Sequence, residues 1–348
     1  LVEAGLLPGL MLAVVSVAGG ATLVESSAQT QTQPEPTDSG NIDMTDAQEV
    51  ARAGSFNVTE NGTRYTVDPD RLRLGCSGRD CIPSIDEPEF ESAPSADGWL
   101  RDSDLVMGLE VDGETRAYPL RILRRHEIVN DRVGGEPVAV TYCPLCRSGL
   151  AYSRRVGNRT LEFGVSGRLL NANLVMYDRQ TDTFWSQVQG DAVVGPLVPE
   201  SLELVSSSIT EWGRWNQAHP GTRVLSRSSG QGGQHSYTTD PYGGYDDSER
   251  VGFGVDEVDD RLSSKELVYG VAVGSESKAY TEDSVEENDL IEDEVGEVPI
   301  AVVEDQVSGG VTVLLRELNG TEVDLSIRNN TLVSDNGSWN SGRRSGLS

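Results

Sequence analysis

Residues 137–146 read PVAVTYCPLC. Pro137 to Tyr142 is a short, unbroken run of apolar and β-branched side chains, the pattern of a strand covered on both faces. Cys143 and Cys146 follow at C-x-x-C spacing, and from Gly149 to Arg154 the alternation of a second strand resumes. The two cysteines are therefore expected in a turn between strands. In a thioredoxin-like site the second cysteine enters a helix whose N-terminus lowers the thiol pKa. That fold is disfavoured here, while thiol redox chemistry stays open.

Working outward, Pro137-Val138-Ala139-Val140 returns as Pro299-Ile300-Ala301-Val302, an offset of 162 residues. At the same offset Leu105-Val106-x-Gly108 meets Leu267-Val268-x-Gly270, Ala117-Tyr118 meets Ala279-Tyr280, Val133-Gly134 meets Val295-Gly296, and Glu162-Phe163 meets Asp324-Leu325. Self-similarity at a fixed period indicates related structural units. Trp339 is the expected counterpart of Trp185 after a deletion. Both units alternate apolar and polar residues between turn signals such as Asp112-Gly113 and Gly157-Asn158. Helical periodicity is weak, with short candidates at Arg121 to Asn130 and at Thr210 to His219, the latter opened by Thr210 as N-cap. The expectation is a mainly β or α+β chain, two pseudo-repeated β-rich lobes with few short helices.

A duplication acts as an internal control, because both copies keep what the fold requires and differ where one performs chemistry. Cys143 maps to Asp305, Cys146 to Ser308 and His126 to Asn288. The chemistry is therefore expected in the first unit, at Cys143, Cys146 and His126. Two thiols at this spacing can cycle between dithiol and disulfide, with His126 tuning the thiolate and Cys143, the N-terminal thiol, as nucleophile. The alternative is a copper or zinc site using the same three residues. A third reading is a non-catalytic exported binding module whose cysteines are structural.

Cys76 and Cys81, in a Gly-containing loop, are read first as a local disulfide and second as the other half of a four-thiolate zinc site. Arg168, Asn173, Tyr177, Asp178 and Trp185 are candidate pocket residues, since Gly, Asn, Asp and aromatics concentrate between Phe163 and Gln187. The Gly/Tyr-rich stretch Gly232 to Tyr245 is a further candidate loop. Of the other histidines, His219 reads as a packed helix-end residue, and His235 lies in that loop. No phosphate-binding Gly-rich loop, nucleophile elbow or H-E-x-x-H stretch occurs, so nucleotide-dependent, α/β-hydrolase and zincin chemistry have no support.

The chain has 348 residues and a net charge of −28, with Lys265 and Lys278 its only lysines. Such a charge excludes nucleic acid as a partner. An acidic, lysine-poor surface suits a halophile, since molar salt screens its self-repulsion over ~3 Å; a salt-in archaeon is expected. Leu6 to Val24 is uncharged and apolar, so residues 1–24 read as a signal peptide or membrane anchor. Residues 25–54 read as a disordered linker, 55–260 as the first lobe with its connecting segment, 261–340 as a degenerate second lobe and 341–348 as a tail. The N-x-[ST] sequons at Asn57, Asn61, Asn158, Asn319, Asn329 and Asn336 also suit an extracytoplasmic chain, secreted or membrane-anchored. An unidentified redox protein or small ligand is the expected partner.

Several runs together carry a family resemblance: Asp80-x-Ile82-Pro83-x-x-Asp86-x-Pro88-x-Phe90, Ala117-Tyr118-Pro119-Leu120, His126-Glu127-Ile128-Val129-Asn130-Asp131, Val138 to Cys146, Gly164-Val165-Ser166-Gly167, Asn173 to Arg179, Trp185-Ser186-Gln187 and Asp240-Pro241-Tyr242. Over about residues 70 to 340 the chain resembles the "domain of unknown function 3179" family. That family looks like a prokaryotic, often exported group that includes selenoproteins. The resemblance implies redox-active chemistry at a cysteine position, occupied here by Cys143 and Cys146.

Overall fold

Strand Glu136–Cys143 is flanked on both sides in its sheet, by Ile128–Val133 and by Ser148–Ser153, each antiparallel to it. The computed structural model describes residues 10–17, 56–229, 237–256, 260–273, 276–305, 307–318, 321–328, 331–334 and 337–339. All the residues of the central strand except Glu136 are buried. The reason is that two separate cores press on it. Ala139 and Cys143 join Phe163, Leu174, Met176 and Trp185 on one face. Val138, Val140 and Tyr142 join Met107, Leu109, Tyr118 and Leu123 on the other. A strand covered on both faces has no polar side to show, which is why its sequence does not alternate.

The first core is closed by a sheet containing Phe163–Leu170, Asn173–Asp178, Phe184–Ser186 and Ala192–Val194. The second is closed by a sheet containing Leu105–Val111, Glu114–Pro119, Ser207–Glu211 and Arg223–Leu225, together with helix Leu120–His126. The expectation of a mainly β fold with few short helices holds: the α-helices among the described residues are four to seven residues long.

An order of strand, strand, helix, strand, strand, strand runs through Leu105–Val111, Glu114–Pro119, Leu120–His126, Ile128–Val133, Glu136–Cys143 and Ser148–Ser153. The same order runs through Glu266–Val273, Glu276–Thr281, Glu282–Asn288, Leu290–Val295, Val298–Glu304 and Val311–Leu315. Matching polar contacts accompany it. Tyr118 donates to Asp131 at 2.5 Å, and Tyr280 to Asp293 at 3.0 Å. The Phe163 amide donates to the Asn130 side chain at 2.9 Å, and the Leu325 amide to the Glu292 side chain at 2.7 Å. Arg154 reaches the Leu161 carbonyl as Arg316 reaches that of Val323.

Local structure departs from expectation at two helices. The one expected to run from Arg121 to Asn130 stops at His126, because Glu127 turns to φ 58 and Ile128 enters a strand. The other begins at Trp212 rather than at Thr210, which lies in strand Ser207–Glu211 and donates its hydroxyl to the Ser308 carbonyl. His219 ends that helix stacked on Trp215, ring centroids 4.0 Å apart, as a packed helix-end residue.

Membrane anchoring through the N-terminal apolar segment is overturned. Among the described residues no helix is long and apolar enough to cross a membrane. Within that segment Leu10–Val17 is an eight-residue strand, its backbone paired along its whole length with Glu266–Val273. The linker at 25–54, His235 and the tail at 341–348 lie outside the described residues, as does the part of Gly232 to Tyr245 before Tyr237.

The other face of the sheet that closes the second core carries a third core with Val106, Ala117, Trp212 and Trp215, and Gly108 shows how tightly it packs, because a Cβ built there overlaps the indole of Trp215. Gly108→Ala should therefore cost about 1–3 kcal/mol, read as a lowered denaturant midpoint with an unchanged slope. An unchanged midpoint would mean that the Trp215 packing is loose.

Candidate functional site

Cys143 ends the central strand and pairs in register with Ser148, the first residue of the next strand. The turn between them carries Cys146, so both sulfurs are held against the first core. Both thiols are free, and only 1% and 5% exposed respectively. The turn itself does not require sulfur. At the same offset of 162 residues, after strand Val298–Glu304, Asp305 and Ser308 stand at these positions, and the Asp305 carboxylate accepts from the Val307 and Ser308 amides.

The Cys146 sulfur lies in a polar nest. Asn173 Nδ2 donates to it at 3.0 Å, and Ser148 Oγ is 3.0 Å away. Gln187 Oε1 accepts from Ser148 at 2.9 Å and from Asn173 at 2.8 Å, while Gln187 Nε2 donates to Thr141 Oγ1 at 3.1 Å. Thr141, Ser148 and Gln187 are fully buried. Such a network fixes each donor before any charge arrives, and a charged acceptor gains most from it in a dry site.

The electrostatic result is asymmetric. Burial disfavours the Cys146 thiolate, but hydrogen bonds from Cys143, from the Ser148 and Asn173 side chains and from the Ser148 backbone outweigh it and bring the thiol down to about 7. Burial, then the hydrogen bond Cys143 makes to Cys146 and the charge on that sulfur, push Cys143 well above the ordinary thiol range. The two shifts run in opposite directions, favouring the charge on Cys146 and the proton on Cys143. The direction of these shifts favours Cys146 as the thiolate, where the sequence pointed to Cys143.

A carboxyl completes the site. Glu127 follows helix Leu120–His126, and its carbonyl accepts from the Tyr142 amide at 2.7 Å, which sets it across from the end of the central strand. Its side chain is buried and accepts from Tyr242 Oη at 3.2 Å. Burial pushes this carboxyl up to about 8; the Tyr242 hydroxyl opposes the rise and the nearby Cys146 charge adds to it. Tyr242 and Tyr245 pack against the core that contains both sulfurs. Their loop is pinned by Arg124, which pairs with Asp240 and Asp246, by Arg125, which donates to the Thr239 carbonyl at 2.6 Å, and by Lys265, which donates to the Tyr245 and Ser248 carbonyls.

His126 has a different occupation. It is fully buried, with Nδ1 2.8 Å from the Pro83 carbonyl and Nε2 2.9 Å from Tyr237 Oη. A carbonyl only accepts, so Nδ1 carries a proton and donates. These contacts tie the helix end to the segment before Ile85 and to the loop at Tyr237. Among the described residues no group of three or more His, Cys, Asp and Glu is arranged to hold a metal ion, so Cys143, Cys146 and His126 do not fit copper or zinc.

Of the candidate pocket residues, Asn173 joins the sulfurs. Arg168 is exposed. Tyr177 turns to Asp80, donating at 2.6 Å. Asp178 accepts from Trp185 Nε1 at 3.0 Å and from the Thr181 amide and hydroxyl, an internal turn. Trp185 is fully buried, edge-on to Phe163. Cys76 and Cys81 form the local disulfide, which removes them from any four-thiolate site. Sequence reasoning missed Glu127, Ser148 and Gln187 as site residues. The signal for Glu127 was its place beside His126 in the HEIVND run, and for Gln187 its place in Trp185-Ser186-Gln187.

Residues 79–346 match the model of a family described as "Protein of unknown function (DUF3179)". No curated protein and no solved structure matches the chain.

The Glu127 carboxyl makes a signed prediction for stability. Its folded pKa of about 8 lies above the ordinary 4.5, so between these values the folded state binds the extra proton and stability falls as pH rises. Cys146 acts oppositely above about 7. From about pH 5 to 7, Glu127→Gln should remove a declining contribution whose limit is about 1.4 kcal/mol per pH unit. Denaturant titrations of both proteins at several pH values check it, and parallel profiles would contradict a buried, protonated Glu127.

Proposed function

The chain belongs to the DUF3179 family, and since that membership supplies no activity we propose, from the geometry of its site, that Cys143 and Cys146 form a two-electron thiol redox centre. Cys146 is the attacking sulfur and Cys143 the resolving one. The observation that carries this reading is the pair of fixed donors on the Cys146 sulfur, Asn173 Nδ2 and the Ser148 backbone amide, which favour a thiolate in a place where burial alone would forbid it. A structural cysteine in an apolar core needs no such donors.

In the cycle Cys146 attacks a disulfide or hydroperoxide acceptor, and Cys143 then displaces the bound fragment. The Cys143–Cys146 bond forms as two electrons pass to the acceptor and the protons leave with its products. The neighbouring turn can close the ring because a C-x-x-C pair needs only small rearrangement. His126 serves as a positioning residue that holds the start of the HEIVND strand through Pro83 and Tyr237. An oxidising, extracytoplasmic compartment belongs to the same proposal, supported by the Cys76–Cys81 disulfide.

Equilibration with dithiol/disulfide buffers, read by peptide mapping so that the two pairs are distinguished, tests the reading. Cys143 and Cys146 should interconvert reversibly with a potential above about −300 mV, the range of labile rather than structural bridges. A pair that never closes, or never reopens, would contradict it. Asn173→Ala should raise the Cys146 pKa and slow its alkylation at pH 7 by ~10-fold, the loss of one charge-assisted hydrogen bond. An unchanged rate would remove Asn173 from the site.

A further inference from the structure

Resting on that reading of the two thiols, we propose that the oxidant this centre takes is a small hydroperoxide, with Glu127 as the acid that protonates the departing oxygen. Three features of the site point the same way.

The first is room. Neither sulfur is exposed beyond 5%, and Tyr242 and Tyr245 pack over the core that holds them. Arg124, Arg125, Glu127 and Lys265 pin that loop from different directions. Attack on a disulfide needs three sulfurs in line, two of which carry peptide chains or glutathione-sized groups. Those chains would have to unseat the whole loop. A hydroperoxide brings two oxygen atoms and a small substituent.

The second is the placement of a proton. Glu127 is a buried carboxyl that accepts from the Tyr242 hydroxyl and lies close enough to Cys146 to feel its charge. An alkoxide or hydroxide is a poor leaving group without an acid, and a carboxyl still protonated near neutral pH is suited to supply one. A thiolate leaving group has far less need of it.

The third is the second copy. Asp289 keeps the same left-handed turn as Glu127, φ 53 against φ 58. It is exposed and has no thiol facing it. The turn therefore belongs to the fold, whereas the long buried carboxyl occurs only with the cysteines. Glycine would be the easier residue at such a φ.

The steps balance with one negative charge in the site throughout. Cys146 attacks the terminal oxygen, the S–O bond forms, the O–O bond breaks, and the departing oxygen takes the Glu127 proton. Cys146 is now a sulfenic acid and Glu127 a carboxylate. Cys143 passes its proton to Glu127 and attacks Cys146, so that the S–S bond forms and the S–O bond breaks. The hydroxide released takes the proton back from Glu127 and leaves as water. A small external dithiol, without the peptide or glutathione-sized groups that the loop keeps out, then reduces the disulfide and returns a proton to Glu127.

Stopped-flow oxidation of the reduced, full-length chain tests this with hydrogen peroxide, tert-butyl hydroperoxide, cumene hydroperoxide and glutathione disulfide. The two small hydroperoxides should react ~100-fold faster than free cysteine thiolate does, the scale of one positioned acid, with cumene hydroperoxide slower and glutathione disulfide slowest. Glu127→Gln should lose that ~100-fold while keeping the Cys146 alkylation rate. Cys143→Ser should accumulate a dimedone-reactive sulfenic acid at Cys146. Hydroperoxide rates no better than free cysteine, or glutathione disulfide as the faster oxidant, would overturn the proposal. The oxidant comparison uses the unaltered chain, so a variant that fails to fold does not protect it. If dithiol/disulfide buffers still interconvert Cys143 and Cys146, the redox reading survives that failure; if they do not, both fall.

Discussion

A negative charge on a sulfur inside a protein core has to be met by donors that are already in place. In this chain the Asn173 side chain and the Ser148 backbone amide favour it on Cys146, and the rest of the site follows from that requirement. Gln187 orients Asn173 and takes the Ser148 hydroxyl proton, and Thr141 orients Gln187. Because the donors are spent on Cys146, Cys143 keeps its proton, and the pair is divided into a thiolate and a thiol. Removing one member would leave buried polar groups unmatched, which costs more than the hydrogen bond itself is worth.

The fold supplies the rigidity this needs. The central strand is covered by two cores, so Cys143 cannot shift without disturbing both faces, and Asn173 and Gln187 project from the sheet that closes one of those faces. The second series of strands carries the same Tyr–carboxylate pair and the same hold on a neighbouring strand amide. It manages its turn with Asp305 in place of sulfur. That contrast separates what the architecture demands from what the thiols add.

Much of this could be read from the sequence because it was written as pattern. The non-alternating run Pro137 to Tyr142 marked a doubly covered strand, and the cysteine turn followed from the alternation resuming at Gly149. The local Cys76–Cys81 bridge was legible from spacing. What escaped was anything set by three-dimensional approach. His126 looked like a partner for the thiols because it vanished with them in the second copy, yet its ring is taken up by Pro83 and Tyr237. Its neighbour Glu127 faces the site instead, which turns on the left-handed φ that ends the helix four residues earlier than periodicity suggested. The order of the two cysteines could not decide which is the thiolate. That depends on Asn173 and Ser148, which come together only when the sheets pack. The apolar N-terminal stretch misled because hydrophobicity alone does not distinguish a membrane helix from a strand such as Leu10–Val17.

The pH titration of the two cysteine β-carbons by NMR in the reduced chain bears most directly on this account. It predicts that the Cys146 carbon titrates at about 7 while that of Cys143 stays in its thiol form well beyond the ordinary range. If both carbons titrate together at the ordinary thiol value, or if Cys143 is the one that ionises first, the donors around Cys146 do not do what is claimed for them.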